Sequence, residues 1–219
     1  MLKDSLWFLQ KCILKKVKPK SKLQLPKGKN NMIKEKLKRI GIGTVTKQDI
    51  SENLANTAFL GIGSNIGNKK RNIEKSKFLL LKNSIKIVKS SNIYETYSWP
   101  DRDQPKFYNI VIKIITNLKP ANLFYVIKNI EKKLGRKKAL INEPRVCDID
   151  ILDYKGKVYK LDANNNKLII PHPRLQDRNF VLFPLFEIQK NWKHPIKKTK
   201  IKDLIKKLDD SALYSIKQI

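Results

Sequence analysis

Short apolar strands and amphipathic helices alternate along the chain from Ala58 onward, and this pattern constrains the fold more than any other feature. The segments with the character of strands are TAFLGIG, KIVKSSNIYET, YNIVIKIIT and CDIDILDY. Helical periodicity is found in NKKRNIEKSKFLLLKN and between Pro120 and Leu134. The order strand, helix, strand, strand, helix, strand predicts an α+β fold with a ferredoxin-like βαββαβ antiparallel sheet. Both helices are expected on one face, which leaves the other face free for substrates.

The spacing of apolar residues predicts which side of each element faces the core. On the first helix the shared face consists of Ile73, Ser76 and Leu80. The second helix has its apolar face at Leu123, Ile127, Ile130 and Leu134, with Gly135 as its stop. In the third strand, alternation places Asn109 on the sheet face opposite to Ile110. Beyond Tyr154 we expect a hairpin and loop, and IKDLIKKL is predicted to be a late surface helix.

The first 40 residues differ in composition, with thirteen Lys or Arg against two acids. We interpret residues 1–55 as a basic, poorly ordered extension and residues 56–219 as one catalytic domain. Within the extension, LWFLQKCILKKV has the pattern of a basic amphipathic helix that touches a membrane surface or a partner.

The formal net charge of +29 permits nucleic-acid binding but does not require it. Lysine, isoleucine and asparagine are in excess together, as an AT-rich coding sequence would produce, and a basic field also attracts phosphorylated small substrates. No apolar run reaches the roughly 18 residues of a membrane span, so we expect no membrane span and a cytoplasmic protein. Cys12 and Cys147 form no metal-binding spacing with the histidines, and zinc is not expected.

The motif Asp148-Ile149-Asp150 places two carboxylates at alternate positions of the fourth strand, so both point to one face. Two such charges repel unless a cation neutralises them, and hard oxygen ligands favour Mg²⁺. Magnesium on such a pair usually arrives with a nucleotide. The alternative is a half-exposed strand with acids facing water, and Asn109 on the same free face favours the site.

Two other groups have the residue types of a phosphate site. A predicted loop before the fourth strand contains Arg136, Lys137, Lys138 and Arg145, which can clamp phosphates or simply face solvent. PHPRLQDRNFVLFPLFEI combines His172, Arg174 and Arg178 with Phe180, an aromatic ring suited to stacking on a flat heterocycle. The glycines of GIGSNIG fit neither nucleotide-binding spacing, and we interpret them as a tight strand-to-helix turn.

Five ordered blocks resemble 6-hydroxymethyl-7,8-dihydropterin pyrophosphokinase of folate biosynthesis. They are GIGSNIGNKKRNI, DQPKFYN, LGR, PRVCDIDIL and PHPRLQDRNFVLFPLFEI, and together they cover residues 58–188. The resemblance implies transfer of the diphosphate of ATP to the pterin hydroxymethyl group, yielding AMP, on a ferredoxin-like core. It also implies two Mg²⁺ ions on Asp148 and Asp150.

The resemblance further assigns roles to individual residues. The implied pterin contacts are Asn109 by hydrogen bonding, Phe180 by stacking, Phe107 at the wall, and Thr96 in a loop that reads the ring. The implied ATP contacts are Arg136, Arg145, His172, Arg178 and Glu131. Catalysis is assigned to Asp148, Asp150, Arg145 and Arg136.

The chain departs from the family pattern in two places. Ile141, Asn142 and Glu143 stand where a basic, a variable and a small residue are usual, and Pro173 replaces an aromatic after the histidine. We expect a monomer that acts on small molecules, without nucleic acid. Two other functions fit parts of the pattern, an RNA-binding ferredoxin-like module and another Mg-dependent D-x-D nucleotide transferase.

Overall fold

The computed structural model describes residues 56–98, 101–136, 143–163 and 166–219. The predicted extension, residues 1–55, lies outside the described residues, as do Lys137, Lys138, Ile141 and Asn142.

Within these ranges the chain forms strands and helices in the order that the sequence predicts up to the fourth predicted strand. The strands are β1 (Asn56–Ser64), β2 (Lys86–Ser90), β3 (Tyr94–Thr96), β4 (Phe107–Thr116), β5 (Asp148–Tyr154), β6 (Tyr159–Ala163), β7 (Asn166–Ile170) and β8 (Ile216–Gln218). The helices are α1 (Lys69–Lys82), α2 (Pro120–Lys133), α3 (Asn179–Ile188), α4 (Ile201–Ile205) and α5 (Asp210–Tyr214).

The main sheet has the strand order β5-β1-β4-β3-β8, with β2 also paired to β4, and every pairing is antiparallel. β6 and β7 form a separate hairpin, as predicted. The expectation of an α+β fold with an antiparallel sheet is therefore confirmed. None of the helices in the described part of the chain is long and apolar enough to cross a membrane.

Helices α1 and α2 cover one face of the sheet. The Asn68 side chain caps α1 by accepting a hydrogen bond from the Arg71 amide, and Pro120 begins α2, where its missing N–H costs nothing. The predicted helix faces are buried except for Leu134, which is partly buried just beyond α2, and their apolar residues pack with Leu60, Ile112 and Ile149 in one core. Each fully buried Ile or Leu contributes about 1.5–3 kcal/mol to folding relative to an exposed one.

The opposite face of the sheet is not wholly free, because α3 packs against β3 and β4. Glu187 of α3 accepts hydrogen bonds from the Asn92 amide at 3.1 Å and from the Tyr94 hydroxyl at 2.9 Å. The second predicted strand is split into β2 and β3 at this point, because the Asn92 amide bonds to Glu187 and not to a neighbouring strand. The part of this face that α3 leaves open includes residues of β1, β4 and β5.

The predicted surface helix IKDLIKKL is shorter and more buried than expected. It forms α4, in which Ile201, Leu204 and Ile205 are at most 3 % exposed. The helix still lies at the surface, with Lys202 and Asp203 exposed, and its apolar face packs against α3.

Candidate functional site

A cavity of about 420 Å³ lies on the sheet face that α3 only partly covers. One end is lined by aromatic, amide and hydroxyl side chains, including Phe107, Asn109 and Phe180. The other end lies at β5, which β1 separates from β4 in the sheet, and is lined by Asp148, Asp150 and nearby arginines. This division gives the cavity room for a flat heterocycle beside a charged group.

Asn109 and Thr96 form a fixed polar wall at the aromatic end. Asn109 is 6 % exposed and Thr96 is 3 % exposed. The Asn109 Nδ2 donates to Thr96 Oγ1 at 3.0 Å, across the pairing of β3 with β4. Phe107 pairs with Thr96 in the same ladder. Because both polar side chains are buried and bonded to each other, their orientation toward the cavity is set before any ligand arrives.

Gly63 makes room for the Asn109 amide. The two residues are directly paired between β1 and β4. A Cβ at Gly63 would lie 2.9 Å from Asn109 Oδ1 and 3.4 Å from a ring carbon of Phe107. Because Gly63 has no side chain, the Asn109 amide can occupy this position. Sequence reasoning placed this glycine in a turn, but it lies inside β1, and the turn itself contains Gly67 at φ +64°.

Arg178 and Phe180 enter the cavity from the start of α3. The Arg178 guanidinium carbon lies 5.4 Å from the centroid of the Phe180 ring, within cation–π range. Arg178 Nη1 also donates to Asp150 Oδ2 at 3.3 Å. Burial lowers the pKa of Arg178, and the Asp150 carboxylate opposes that shift. Arg178 thus connects the aromatic end of the cavity to the acidic end.

Asp148 is held between two arginines. Arg136 Nη1 donates to Asp148 Oδ1 at 2.6 Å, and Arg145 Nη1 donates to Oδ2 at 2.6 Å. Burial by itself would raise the pKa of Asp148, but the two guanidinium groups outweigh burial and lower it. The carboxylate is therefore ionised at neutral pH.

Asp150 is more accessible than Asp148, with 36 % of its side chain exposed against 22 %. The two acids alternate with buried Ile149 on β5, and both line the cavity, as their spacing predicts. His172 Nε2 lies 3.9 Å from Asp150 Oδ2, beyond hydrogen-bond range. Burial lowers the pKa of His172, the Asp150 carboxylate opposes this shift, and Arg178 lowers the pKa further, so the imidazole is neutral at pH 7.

Glu131 supports the acidic end from beneath. It is 2 % exposed, lies on α2, and accepts a hydrogen bond from the Ile149 amide at 2.7 Å. Arg136 and Lys128 also donate to its carboxylate. Burial raises the pKa of Glu131, while Lys128 and Arg136 partly offset the shift. Glu131 therefore orients Arg136 and fixes the start of β5.

Eight of the eleven predicted site residues line the cavity. The other three, Arg136, His172 and Glu131, lie behind the lining and next to its carboxylates or their partners. Glu143, from the atypical run, is exposed and also lines the cavity.

Sequence reasoning missed two sets of residues around the site. Asn65 exchanges two hydrogen bonds with the backbone of Arg145, at 2.6 and 3.0 Å, and thereby fixes the loop that carries this arginine. The C-terminal residues Asp209, Ser211, Ala212 and Ser215 form a further wall of the cavity. The sequence DDSALY has the helix-capping signal that could have indicated this turn, but no pattern indicated its contact with the site.

The donor set suits magnesium better than zinc. Among the residues that the structure describes, no group of three or more His, Cys, Asp or Glu can hold a metal. Burial raises the pKa of Cys147 to about 12, so this thiol stays protonated. Asp148 and Asp150 offer hard oxygen atoms at a cavity wide enough for phosphates. Mg²⁺ is typically bound by one or two carboxylates together with substrate phosphates, and these two acids fit that requirement.

Comparison with known proteins matches this chain to one family. The sequence model for 7,8-dihydro-6-hydroxymethylpterin-pyrophosphokinase matches residues 59–190. The 2-amino-4-hydroxy-6-hydroxymethyldihydropteridine pyrophosphokinase of Aquifex aeolicus is 40 % identical over 147 residues, which are 67 % of this chain and 89 % of that protein. The folic acid synthesis protein fol1 of Pneumocystis carinii is 38 % identical over 152 residues, which are 69 % of this chain and 20 % of that protein.

The fold also matches solved structures. The crystal structure of wild-type Plasmodium falciparum HPPK-DHPS has a TM-score of 0.60 to this chain at 18 % identity, and the match covers 77 % of this chain and 49 % of that one. The chain therefore spans about a fifth of the fungal relative, about half of the solved Plasmodium chain and most of the Aquifex protein.

Proposed function

The chain belongs to the 7,8-dihydro-6-hydroxymethylpterin-pyrophosphokinase family, and on this premise we propose that it transfers the diphosphate of ATP to the hydroxymethyl group of 6-hydroxymethyl-7,8-dihydropterin. The products are AMP and the pterin diphosphate, and the reaction is a step of folate biosynthesis. The observation that carries this proposal is the two-ended cavity, with an aromatic and amide end beside a carboxylate and arginine end.

The pterin is assigned to the aromatic end. Phe180 and Phe107 supply ring surfaces for stacking, and Asn109 offers an amide to the polar edge of the heterocycle. A buried amide held by Thr96 discriminates well between ligands, because a ligand without the matching polar atom leaves it unpaired.

We assign ATP to the charged end, and the arginines and carboxylates gathered there support this assignment. Arg145 and Arg178 are positioned for bidentate contacts to phosphate oxygens, while Arg136 and His172 lie behind them. Asp148 and Asp150 would hold two Mg²⁺ ions. When bound, magnesium neutralises phosphate charge and makes the phosphorus a better electrophile.

The transfer is an in-line displacement at the β-phosphorus of ATP. The pterin hydroxyl oxygen forms a bond to this phosphorus, and the bond to the oxygen that bridges to the α-phosphorus breaks. AMP leaves with that oxygen, and the hydroxyl proton is released. The chain contributes mainly by holding both substrates in one cavity, which makes the attack effectively intramolecular. Its arginines stabilise the charge that develops on the phosphate oxygens.

Membership of this family also suggests the fold class, the oligomeric state and the cellular location that we propose. We assign the sheet to the ferredoxin-like class, because the order β5-β1-β4-β3 and its two crossover helices have that arrangement. We also propose that the protein acts as a monomer in the cytoplasm. Gel filtration and cell fractionation test these two assignments.

The decisive experiment is a coupled assay for AMP with ATP, Mg²⁺ and 6-hydroxymethyl-7,8-dihydropterin, each omitted in turn. AMP is expected only when all three are present, and a chelator of divalent cations should abolish it. Equal AMP formation without the pterin would refute the acceptor assignment. A rate that stops rising once Mg²⁺ equals ATP would refute the second ion.

A further inference from the structure

The C-terminal segment, residues 209–219, lies beyond the residues that the family model matches, yet it forms one wall of the cavity. Asp209, Ser211, Ala212 and Ser215 all line that wall.

Several side-chain and backbone hydrogen bonds give this segment a defined conformation. Asp209 caps α5 by accepting hydrogen bonds from the Ala212 amide at 2.7 Å and the Ser211 hydroxyl at 2.8 Å. β8 then pairs with β3 and adds a strand to the main sheet. The amide of Ile219 donates to the Ile93 carbonyl at 3.0 Å. The wall is therefore a built part of the domain.

Asn179 fastens the segment to the start of α3. It is 8 % exposed, and its Nδ2 donates to the Ala212 carbonyl at 2.6 Å and to Ser215 Oγ at 3.0 Å. Its Oδ1 accepts a hydrogen bond from the Phe180 amide at 2.6 Å. One buried side chain thus connects the C-terminal wall to the two residues, Arg178 and Phe180, that flank it and enter the cavity.

The segment adjoins the aromatic end of the cavity. In β3, Thr96 pairs with Phe107 on one side and with Ile216 of β8 on the other. Thr96 is also the residue that holds the Asn109 amide. Among the described residues, the hydrogen bonds of the Asp148 and Asp150 carboxylates come from Arg136, Arg145 and Arg178, none of which belongs to the segment.

We infer that residues 209–219 are a specificity-determining wall for the pterin and that Asn179 is the residue that positions it. This inference rests on the proposed function, because it concerns the acceptor end of the same cavity. Asn179 acts through Ala212 and Ser215 and through the placement of Phe180, without itself taking part in the transfer.

The test is the separate measurement of KM for each substrate in Asn179→Ala. Without the amide donor, the Ala212 carbonyl and the Ser215 hydroxyl keep only their 3.2 Å hydrogen bond to each other, and the wall loses its attachment to α3. We expect KM for the pterin to rise about tenfold, which corresponds to the net loss of one to two hydrogen bonds. KM for ATP should stay within about twofold of the wild-type value, because the contacts at the charged end of the cavity are unchanged. Ser215→Ala should change KM for the pterin in the same direction and by less.

Two further variants separate positioning from a general loss of stability. Asn179→Asp keeps the acceptor for the Phe180 amide and removes the donor, so it should be impaired like Asn179→Ala. Asn83→Ala removes an amide that donates to the Leu79 carbonyl at 2.8 Å at the end of α1. It should leave both KM values unchanged, and thermal unfolding is followed for all variants.

Each result decides between these roles. Wild-type KM for the pterin in Asn179→Asp, or equal rises of both KM values in Asn179→Ala, would overturn the inference. If the wild-type enzyme formed AMP at the same rate with and without the pterin, the proposed function would be refuted instead. That failure is visible before any variant is made.

Discussion

Gly63→Ala is the smallest change that should damage the pterin end of the cavity. The new Cβ would lie 2.9 Å from Asn109 Oδ1, a distance too short for a carbon and an oxygen that are not bonded. Gly63 has no left-handed backbone angle, so the strand itself tolerates alanine. The conflict is therefore confined to the amide and its surroundings.

The free-energy cost of Gly63→Ala depends on how far the Asn109 amide can move away from the new Cβ. Restoring an ordinary contact requires a displacement of about half an ångström, and cores resist such shifts. Asn109 is buried, and its Nδ2 is bonded to Thr96 Oγ1, so the amide cannot turn away without breaking that bond. Overpacking of this kind costs about 1–3 kcal/mol. If the cost falls on pterin recognition, kcat/KM for the pterin drops roughly 5- to 150-fold.

The assay is AMP formation at saturating ATP over a range of pterin concentrations, with KM for ATP measured separately. Gly61→Ala is the matched control, because it lies on the same strand and the atoms nearest to its Cβ would be Leu152 side-chain atoms, at 3.5 Å or more. That distance is an ordinary contact, and the control should stay within about threefold of wild type. Wild-type kcat/KM in Gly63→Ala, or an equal loss in both variants, would refute the reasoning.

Three more predictions concern the acids and one histidine. Asp150→Asn should lower kcat for AMP formation by at least about 100-fold, because it removes the more accessible of the two carboxylates assigned to magnesium. Glu131→Ala should lower the free energy of unfolding by about 3 kcal/mol in urea titrations, because the buried Ile149 amide loses its acceptor and Arg136 loses a partner. The contribution of His194 to the free energy of unfolding should fall as the pH drops below about 6.5, while the raised pKa of buried Glu131 acts in the opposite direction. Burial, reinforced by Lys197, holds the pKa of His194 below its ordinary 6.5, so its stabilisation is present above that pH and is lost as the pH falls through the folded-state value.

Each of these three predictions has its own control. Asp162→Asn changes an exposed acid on β6 and should keep wild-type turnover, so a similar loss there would point to a general charge effect. Glu131→Gln keeps an acceptor for the Ile149 amide and should be less destabilised than the alanine variant. His194→Gln should flatten the pH dependence of stability, although His172, the second histidine, contributes in the same direction. An unchanged slope in His194→Gln would contradict the assignment.

The helices and strands were predictable because the spacing of apolar residues within each segment indicates its conformation. Ile73, Ser76 and Leu80 share one face of α1 at helical spacing, and the alternation in β4 placed Asn109 on the cavity side. Asp148 and Asp150 were placed together by the same period of two. These positions depend on the conformation of one segment, which the sequence of that segment determines.

Long-range contacts were not predictable in this way. Nothing near Asn179 in the chain indicates that its amide meets Ala212 and Ser215, more than thirty residues later. The split between β2 and β3 depends on Glu187, which lies 95 residues beyond Asn92. Gly63 was assigned to a turn because glycine is common there, whereas its position reflects the Asn109 side chain on the neighbouring strand. Such contacts exist only after the sheet has formed.

The acidic end of the cavity shows why net charge could not identify the function. Glu131, Asp148 and Asp150 face Arg136, Arg145 and Arg178, so this group of side chains is close to neutral in a chain of net charge +29. The arginines assigned to ATP differ from exposed lysines because carboxylates hold them in place and their side chains are 25 % exposed or less. A polyanion binding to such a group releases the carboxylates from their arginine partners and leaves them next to phosphate. The arrangement therefore favours a triphosphate that arrives together with divalent cations over either one alone.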